Sequence, residues 1–395
     1  MFVLLMLGSS AHGQPGPAQS TPYRPADSLN KAAFNHFYNL DFDRSVQEFQ
    51  RIADKYPNDA FAVNHLLTAV LFRELYRMGA LNSAEYANNS FLSAPHYPAD
   101  PKAKEQIRYL INRALRIEKA QLEANPKDVN ALYARGVTRA QFATYTALIE
   151  HAWVSALRNA VGARHDHEKV LEVAPDYVDA KLVVGAHNYV VGSLPWGFKV
   201  ASSLVGLSGN KDKGLQYLRE AAENGKESGV DAKIVLMVFL RRERRFEEAL
   251  ALDRQLVAAY PQSSLLKLEE ASLLRNLDKP DEAAGIFREV WQAGRAGHYP
   301  GQRYELAALG LGELLRGQKD YAGAAAAYEL VSQVPHPDPD VQQKASLAAG
   351  EMYDVLNKRE MAVKKYEQVI ALKSDNGSAE SARKFLKSAY REEKD

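Results

Sequence analysis

Along most of the chain apolar positions recur at intervals of three and four, the spacing of one face of an α-helix, and Pro, Gly and Asp divide the pattern into blocks. Blocks over Asp59 to Tyr76, Val129 to Ile149, Asp179 to Val191, Asp231 to Arg241, Ser264 to Asn276, Gln302 to Leu315 and Val341 to Leu356 predict helices. Five further blocks, beginning at Phe42, Phe246, Pro280, Tyr321 and Arg359, align with one another. In each, a small residue is followed four positions later by a large or polar one and seven positions later by an aliphatic one: Ser45, Phe49, Ile52; Ala249, Asp253, Leu256; Ala283, Phe287, Val290; Ala324, Tyr328, Val331; Ala362, Tyr366, Val369. These offsets place the three side chains on one helical face, where the small one admits a neighbouring helix and the others fill the space beside it. Tyr56-Pro57, Asn125-Pro126, Ala174-Pro175 and Tyr260-Pro261 end helices, because Pro cannot continue one and forces the preceding residue extended.

Ala249, Ala283, Ala324 and Ala362 lie 34, 41 and 38 positions apart, around the ~34-residue period of the tetratricopeptide repeat. The chain resembles that family: the five aligned blocks match the second helix of a repeat, and Gly136 and Gly185 stand at the small position where its first helix packs on its mate. The resemblance implies an all-α fold, a right-handed superhelix (α-solenoid) of about seven helix pairs, with a concave surface lined by first-helix positions such as Asn64, Thr68, Tyr133, Val137 and Tyr189. In the first half the spacing rises to about 50 or more against the ~34 of the family, and Gly79 to Pro101 reads as a long loop. Residues 26–229 therefore form an irregular half with an inserted helix. Residues 230–395 form the regular half, closed after Asn376-Gly377 by a polar helix over Ser378 to Tyr390.

The stretch from Gly185 to Gly225 interrupts the series. Gly185, Asn188-Tyr189, Ser193-Leu194-Pro195, Val205-Gly206-Leu207-Ser208-Gly209-Asn210, Gly214-Leu215 and Leu218 resemble the segment shared by the inclusion-body-clearance and tetratricopeptide-repeat-39 proteins, with Leu207 and Asn210 in place of that family's Phe and Asp. This resemblance implies a helical repeat protein that works through contacts. Pro195 to Leu207 reads as a third helix within one repeat. Its Trp196 and Phe198 either plug the inner curve or the junction between the halves, or meet a partner or lipid.

Charge and composition narrow the chemistry. Fifty Lys plus Arg against forty-nine Asp plus Glu give a net charge of +1, which makes no global case for nucleic acid or for an anionic membrane. With no cysteine, disulfides, thiolate metal sites and a cysteine nucleophile are excluded. His165-Asp166-His167-Glu168 suggests metal, but histidines at i and i+2 point to different sides of a helix. No phosphate loop, dinucleotide fingerprint or nucleophile elbow occurs. Arg135 and Arg139, one turn apart beside Tyr133 and Phe142, either clamp a peptide carboxylate or form a salt-bridged inner face.

Residues 1–25 read as a signal-like segment and flexible leader. An apolar run from Phe2 to Leu7 precedes Ala11-His12-Gly13, as in a secretory signal lacking its basic start. The expected location is the periplasm or cell envelope, or the cytoplasm if the run is not a signal. No later stretch supplies the ~18 apolar residues of a spanning helix. The expectation is a non-enzymatic protein- or peptide-binding scaffold of the bacterial cell envelope, without cofactor or metal. The alternative is a small-molecule or lipid binding protein whose cavity is walled by the Pro195-Leu207 insert.

Overall fold

The computed structural model describes residues 27–81, 98–193, 208–372 and 377–392. The segments 1–26, 82–97, 194–207, 373–376 and 393–395 lie outside the described residues, and with them the signal-like leader, most of the Gly79 to Pro101 loop and the Pro195 to Leu207 insert.

Every described element is helical. The chain runs α1 Ser28–Tyr38, α2 Phe42–Lys55, α3 Ala60–Arg77, α4 Pro101–Ala124, α5 Val129–Leu148, α6 Trp153–Val173, a short 3-10 turn Val178–Ala180, α7 Lys181–Gly192, α8 Lys211–Asn224 and α9 Gly229–Arg242. It continues with α10 Phe246–Ala259, α11 Ser264–Asn276, α12 Pro280–Arg295, α13 Glu305–Gly317, α14 Tyr321–Leu330, α15 Pro339–Val355, α16 Arg359–Ala371 and α17 Ser378–Lys387. Consecutive helices pack on one another from α1 to α17, and the first helices of neighbouring pairs also meet, as α3 with α5, α11 with α13 and α13 with α15. This is a tetratricopeptide-type α-solenoid whose first helices line its inner side. Against the about seven pairs expected, the described residues form eight, closed by α17. The additional one is α1 with α2, because Ser28 to Tyr38 is itself a first helix.

Local chemistry starts and stops these helices. Asp59, Asp100, Asp128 and Asp338 cap α3, α4, α5 and α15 by accepting backbone N–H bonds within the first turn. Pro101, Pro280 and Pro339 occupy the start of a helix, where no N–H is needed. Five of the turns from first to second helix share one geometry. Leu40, Arg244, Asp278, Lys319 and Asn357 adopt φ of 56 to 63°. The following residue then donates its N–H to the carbonyl five positions back, at 2.8 to 3.0 Å.

The aligned triplets are the packing unit. The Tyr328 and Tyr366 rings lie against Gly312 and Gly350, where an added Cβ would come within 2.4 and 2.6 Å of them. Gly136 faces the His167 ring, and Gly185 faces Leu218 and the backbone of Gly214. Core packing is continuous: one buried cluster runs from Tyr189 to Ala327, and the cluster of α1 to α5 takes in Val230, Ile234 and Tyr260 from the other half.

Those last contacts belong to a seam that joins distant parts of the array. The Tyr38 hydroxyl donates to Asp231 at 3.0 Å, and its ring lies 4.9 Å from that of Tyr260. The Gln262 N–H donates to Asn39 Oδ1 at 3.0 Å, while Gln302 Nε2 donates to the carbonyls of Asn39 and Gln262 at 3.1 and 2.8 Å. Arg303 donates through Nη2 to the Arg77 carbonyl at 2.9 Å, covers the Tyr76 ring and pairs with Asp338 at 3.0 Å. His65 Nε2 stands 3.6 Å from Glu227 Oε2. Burial pushes the Asp231 carboxyl up to about 6 and the Tyr76 phenol up to about 12. The ends of α1 and α3 are thus sewn to the starts of α9, α11 and α13, and Arg303 ties the start of α13 to that of α15.

One triplet departs from the packing rule. Asp253 takes the place that Phe49, Phe287, Tyr328 and Tyr366 fill elsewhere, is 0% exposed, and finds no hydrogen-bond partner among the described residues for either oxygen. Burial, reinforced by Glu269 and Glu270, raises its pKa from 3.8 to about 9. A carboxyl with a folded pKa above its unfolded value costs nothing below the unfolded pKa and progressively more as pH rises toward the folded one. At pH 7 the cost is about 4 kcal/mol. Asp253→Asn, which keeps the shape and removes the titration, should therefore raise the unfolding free energy at pH 7 by up to that amount in urea melts, and the gain should shrink toward zero near pH 4. An unchanged gain across that range would show that the carboxyl does not titrate as described.

Candidate binding surface on the first helices

On the inner side, α3 and α5 are joined by a polar network. Asn64 Nδ2 donates to the Ala134 carbonyl at 2.9 Å, Thr138 Oγ1 donates to Asn64 Oδ1 at 2.7 Å, and Gln141 Nε2 donates to Thr68 Oγ1 at 2.9 Å. The same hydroxyl also lies 2.5 Å from Glu118 Oε1 of α4. Burial pushes the Glu118 carboxyl up to about 7, against the opposing pull of the Thr138 and Asn64 bonds. Asn64 is buried and Thr68 half-buried, so both hold helices together where an open groove lining was expected.

Tyr133 is buried as well, its ring stacked 6.0 Å from Phe61 and edge-on to His167 at 5.1 Å. Burial holds its phenol well above the ordinary range. Val137, a turn later, is half-buried against the same cluster. Tyr189 is buried too: its ring stacks on Phe239 at 3.9 Å and its hydroxyl donates to Glu243 at 2.9 Å. The physical reason is common to all of them. Neighbouring first helices pack so closely in this half that these positions face each other across the interface.

Arg135 and Arg139 do converge, and the carboxylate between them belongs to the chain itself. Arg135 donates to both oxygens of Asp166, at 3.0 and 2.6 Å, and Arg139 donates to Oδ2 at 2.7 Å. Asp166 is fully buried, while the two arginines keep partial exposure. The arrangement is the salt-bridged face, with Asp166 occupying the position a peptide carboxylate would need. The histidines beside it separate: His165 is exposed, whereas His167 is buried, bonded through Nδ1 to the Ala163 carbonyl and lowered to about 4 by burial. No group of three or more His, Asp or Glu side chains among the described residues is placed to hold a metal ion. Trp196 and Phe198 lie outside the described residues.

From α9 onward the inner wall changes character. Arg241 of α9 grips Glu269 of α11 at 2.8 and 2.6 Å and donates to Ser272. Arg275 of α11 reaches Glu313 of α13 at 3.3 Å, and Arg316 of α13 reaches Glu351 of α15 at 2.8 Å. Each arginine sits in the last turn of its helix, where a cation also suits the helix dipole. Beside this ladder, Leu268, Leu309 and Leu347 are half-buried. Leu268 and Arg275, like Leu309 and Arg316, are seven positions apart, and Leu347 and Glu351 are four apart, so leucine and charge share a face on each helix. This row went unrecognised in the sequence. Its signal was an Arg in the last turn of three successive first helices, with a Glu inside each following one.

No helix among the described residues is long and apolar enough to cross a membrane. Residues 178–297 match the model of a family described as Iml2/Tetratricopeptide repeat protein 39. No curated protein matches the chain significantly. Among solved structures, pilF of Pseudomonas aeruginosa is 16% identical, with 63% of this chain and 97% of that one covered and a TM-score of 0.38. A tetratricopeptide repeat protein from Parabacteroides merdae is 13% identical, covering 81% of this chain and 97% of its own, with a TM-score of 0.34. The human IFIT1 dimer with m7Gppp-AAAA is 13% identical, covering 91% of this chain and 82% of its own, with a TM-score of 0.42.

Asp166 is the residue on which the α5–α6 face turns. Asp166→Ala would leave Arg135 and Arg139 facing each other without a counter-charge, and should destabilise the fold by about 3 kcal/mol. Chemical denaturation of the purified variant measures this directly. A loss below about 0.5 kcal/mol, the usual scale of a neutral surface change, would contradict the assigned role.

Proposed function

We propose that this protein is a scaffold that binds a protein or peptide partner along the inner wall of α11, α13 and α15, without performing chemistry of its own. The observation that supports the reading is the repeated pairing of a half-buried leucine with a paired charge on the same face of three successive first helices. A tetratricopeptide solenoid is suited to such contacts, because stacked repeats present a continuous curved surface. A leucine row offers apolar burial to alternate side chains of an extended segment, and the adjacent ladder offers polar partners that are already oriented. Since Arg275–Glu313 and Arg316–Glu351 are satisfied by each other, the wall carries no strong net field, and a partner of mixed polarity fits it better than a polyanion.

The proposal extends to the compartment. The apolar run Phe2 to Leu7 followed by Ala11-His12-Gly13 supports export to a bacterial envelope. Fractionation of cells making the full chain would refute this part if all of the protein stayed unprocessed in the cytoplasm.

A photo-crosslinking amino acid placed at Leu309 in cells should capture a defined partner, and one placed at the exposed Lys364 on α16 should not. Leu309→Asp combined with Leu347→Asp should lower affinity for that partner by roughly tenfold or more, as expected for loss of two apolar anchors of a central contact. Equal capture from Lys364, or unchanged affinity in the double variant, would remove the inner wall as the binding surface.

A further inference from the structure

Past α17 the chain turns back onto the array. Ser388, the residue that closes α17, is extended at φ −143° and ψ 122°, and residues 389–392 belong to no helix. Ala389 and Arg391 are exposed while Tyr390 and Glu392 are half-buried, the alternation of an extended segment with one side laid down. That side crosses from α15 to α13. The Tyr390 N–H donates to Asp354 Oδ2 at 2.8 Å, Arg316 Nη2 donates to the Tyr390 hydroxyl at 2.7 Å, and the guanidinium lies 5.5 Å from the centre of the Tyr390 ring. Glu392 stands 3.7 Å from Arg316 Nε and accepts from the hydroxyl of Tyr321 at the start of α14.

These partners form the last rung of the inner-wall ladder. Arg241, Arg275 and Arg316 each stand three positions before the left-handed residue that turns the chain out of their helix, at Arg244, Asp278 and Lys319. The same position in α15, before Asn357, holds Asp354, so the row changes there from cation to anion. Arg359 and the Tyr366 hydroxyl already fix that carboxylate, which makes it a prepared acceptor for a backbone N–H. Beside it Arg316, shared between Glu351 and Glu392, and Tyr321 receive a side-chain carboxylate. The second helices of the other regular repeats begin with Phe246, Pro280 and Arg359, none of which carries a hydroxyl, so this carboxylate site is particular to one rung.

The hold on the segment is light. Tyr390 and Glu392 are kept by a few polar contacts, each of small net worth in water, and by one ring edge, Phe385 at 5.2 Å. The last turn of α17 is anchored separately by Arg359, which donates to the Phe385 and Leu386 carbonyls at 2.7 and 2.9 Å. The segment can therefore lift at Ser388 without unfolding a repeat.

We propose that residues 388–392 are a built-in, displaceable ligand of the α13–α15 end of the inner wall, and that the partner of this wall presents there an extended segment of the same chemistry, an aromatic hydroxyl followed two residues on by a carboxylate. The second clause rests on the inner wall being the binding surface. A tethered segment competes at an effective concentration on the order of millimolar, so a partner displaces it by making further contacts along Leu309 and Leu347.

The probe is a capped peptide, Ser-Ala-Tyr-Arg-Glu with fluorotyrosine, titrated against the full chain and followed by fluorine NMR. Tyr390→Ala with Glu392→Gln lifts the segment, and this variant should bind the peptide at least roughly tenfold more tightly than the parent, the ratio for a competitor that is closed about nine-tenths of the time. Exchanging the last two residues of the peptide, or adding Tyr321→Phe to the variant, should each weaken that binding several-fold. Thermal melts of both variants should stay within a few degrees of the parent. The proposal is overturned if the variant binds no better than the parent, including the case in which neither binds at about 1 mM protein, on the scale of the tethered competitor. A variant that melts far below the parent and gains no binding would likewise overturn it and make the segment a fixed cap. The crosslinker at Leu309 separates this result from the wall reading: peptide binding by the variant without capture from Leu309 upholds the rung and its built-in ligand and removes the wall, whereas capture from Leu309 without peptide binding does the reverse.

Discussion

The seam between Tyr38, Asn39, Tyr76 and Arg77 on one side and Asp231, Gln262, Gln302 and Arg303 on the other fixes the curvature on which every other surface of this protein depends. A helical repeat array is ordinarily stabilised by contacts between neighbours alone, and its pitch can then flex. Here residues 193 to 263 positions apart are bonded to one another. Loop-closure entropy grows only slowly with chain length, and the stacked repeats in between have already removed most of it. A modest number of contacts therefore suffices to hold the turn. Arg303 joins the Arg77 carbonyl, the Tyr76 ring and Asp338 at one point. Beside the seam the first helices meet in pairs, α3 with α5 and α7 with α9, and Asn64, Tyr133 and Tyr189 are interior residues there.

Within that frame the charged side chains set register more than they add stability. Arg135 and Arg139 on Asp166, Arg241 on Glu269, Arg316 on Glu351 and Arg359 on Asp354 all join separate helices. The desolvation of a buried pair offsets much of its attraction, and the more exposed Arg275–Glu313 pair is worth little by itself. What such pairs enforce is pairing with the correct neighbour, because a slipped helix would leave an arginine or a carboxylate buried alone. Asp253 illustrates that cost: it lies in the same core with neither oxygen hydrogen-bonded among the described residues, and its carboxyl is driven far above the ordinary range.

The repeat itself was legible because its signal is local. A small residue, a large or polar one four positions on and an aliphatic at seven must share a face of one helix, and Tyr328 on Gly312 and Tyr366 on Gly350 show the contact that this pattern encodes. Two features were illegible for different reasons. The turns at Leu40, Arg244, Asp278, Lys319 and Asn357 adopt the left-handed conformation without glycine, at about 1 kcal/mol each. The usual punctuation is therefore missing, and the pair formed by α1 and α2 loses its boundary signal. Partner choice was the other. Arg135 and Arg139 stood out as a basic pair, and Asp166 stood out as part of a histidine cluster, but only the packing of α5 on α6 shows that these two observations are one site. The seam lies further still from sequence patterning, since no periodicity connects Tyr38 to Asp231.

The placement of the seam also bears on how a partner could be bound without disturbing it. In the second half of the array the seam uses the starts of the first helices: Asp231 in α9, Gln262 just before α11, Gln302 and Arg303 just before α13, and Asp338 just before α15. The arginines of the ladder stand in the last turns of α9, α11 and α13, about 15 to 20 Å away along each helix. Opposite ends of the same rigid rods are thus committed to different tasks, one to holding the turn of the superhelix and the other to the wall beside Leu268, Leu309 and Leu347. A segment laid along that wall would replace water next to bonds already made. It would not have to break the contacts that give the wall its curvature, and it would meet a surface whose ordering free energy has been supplied by folding.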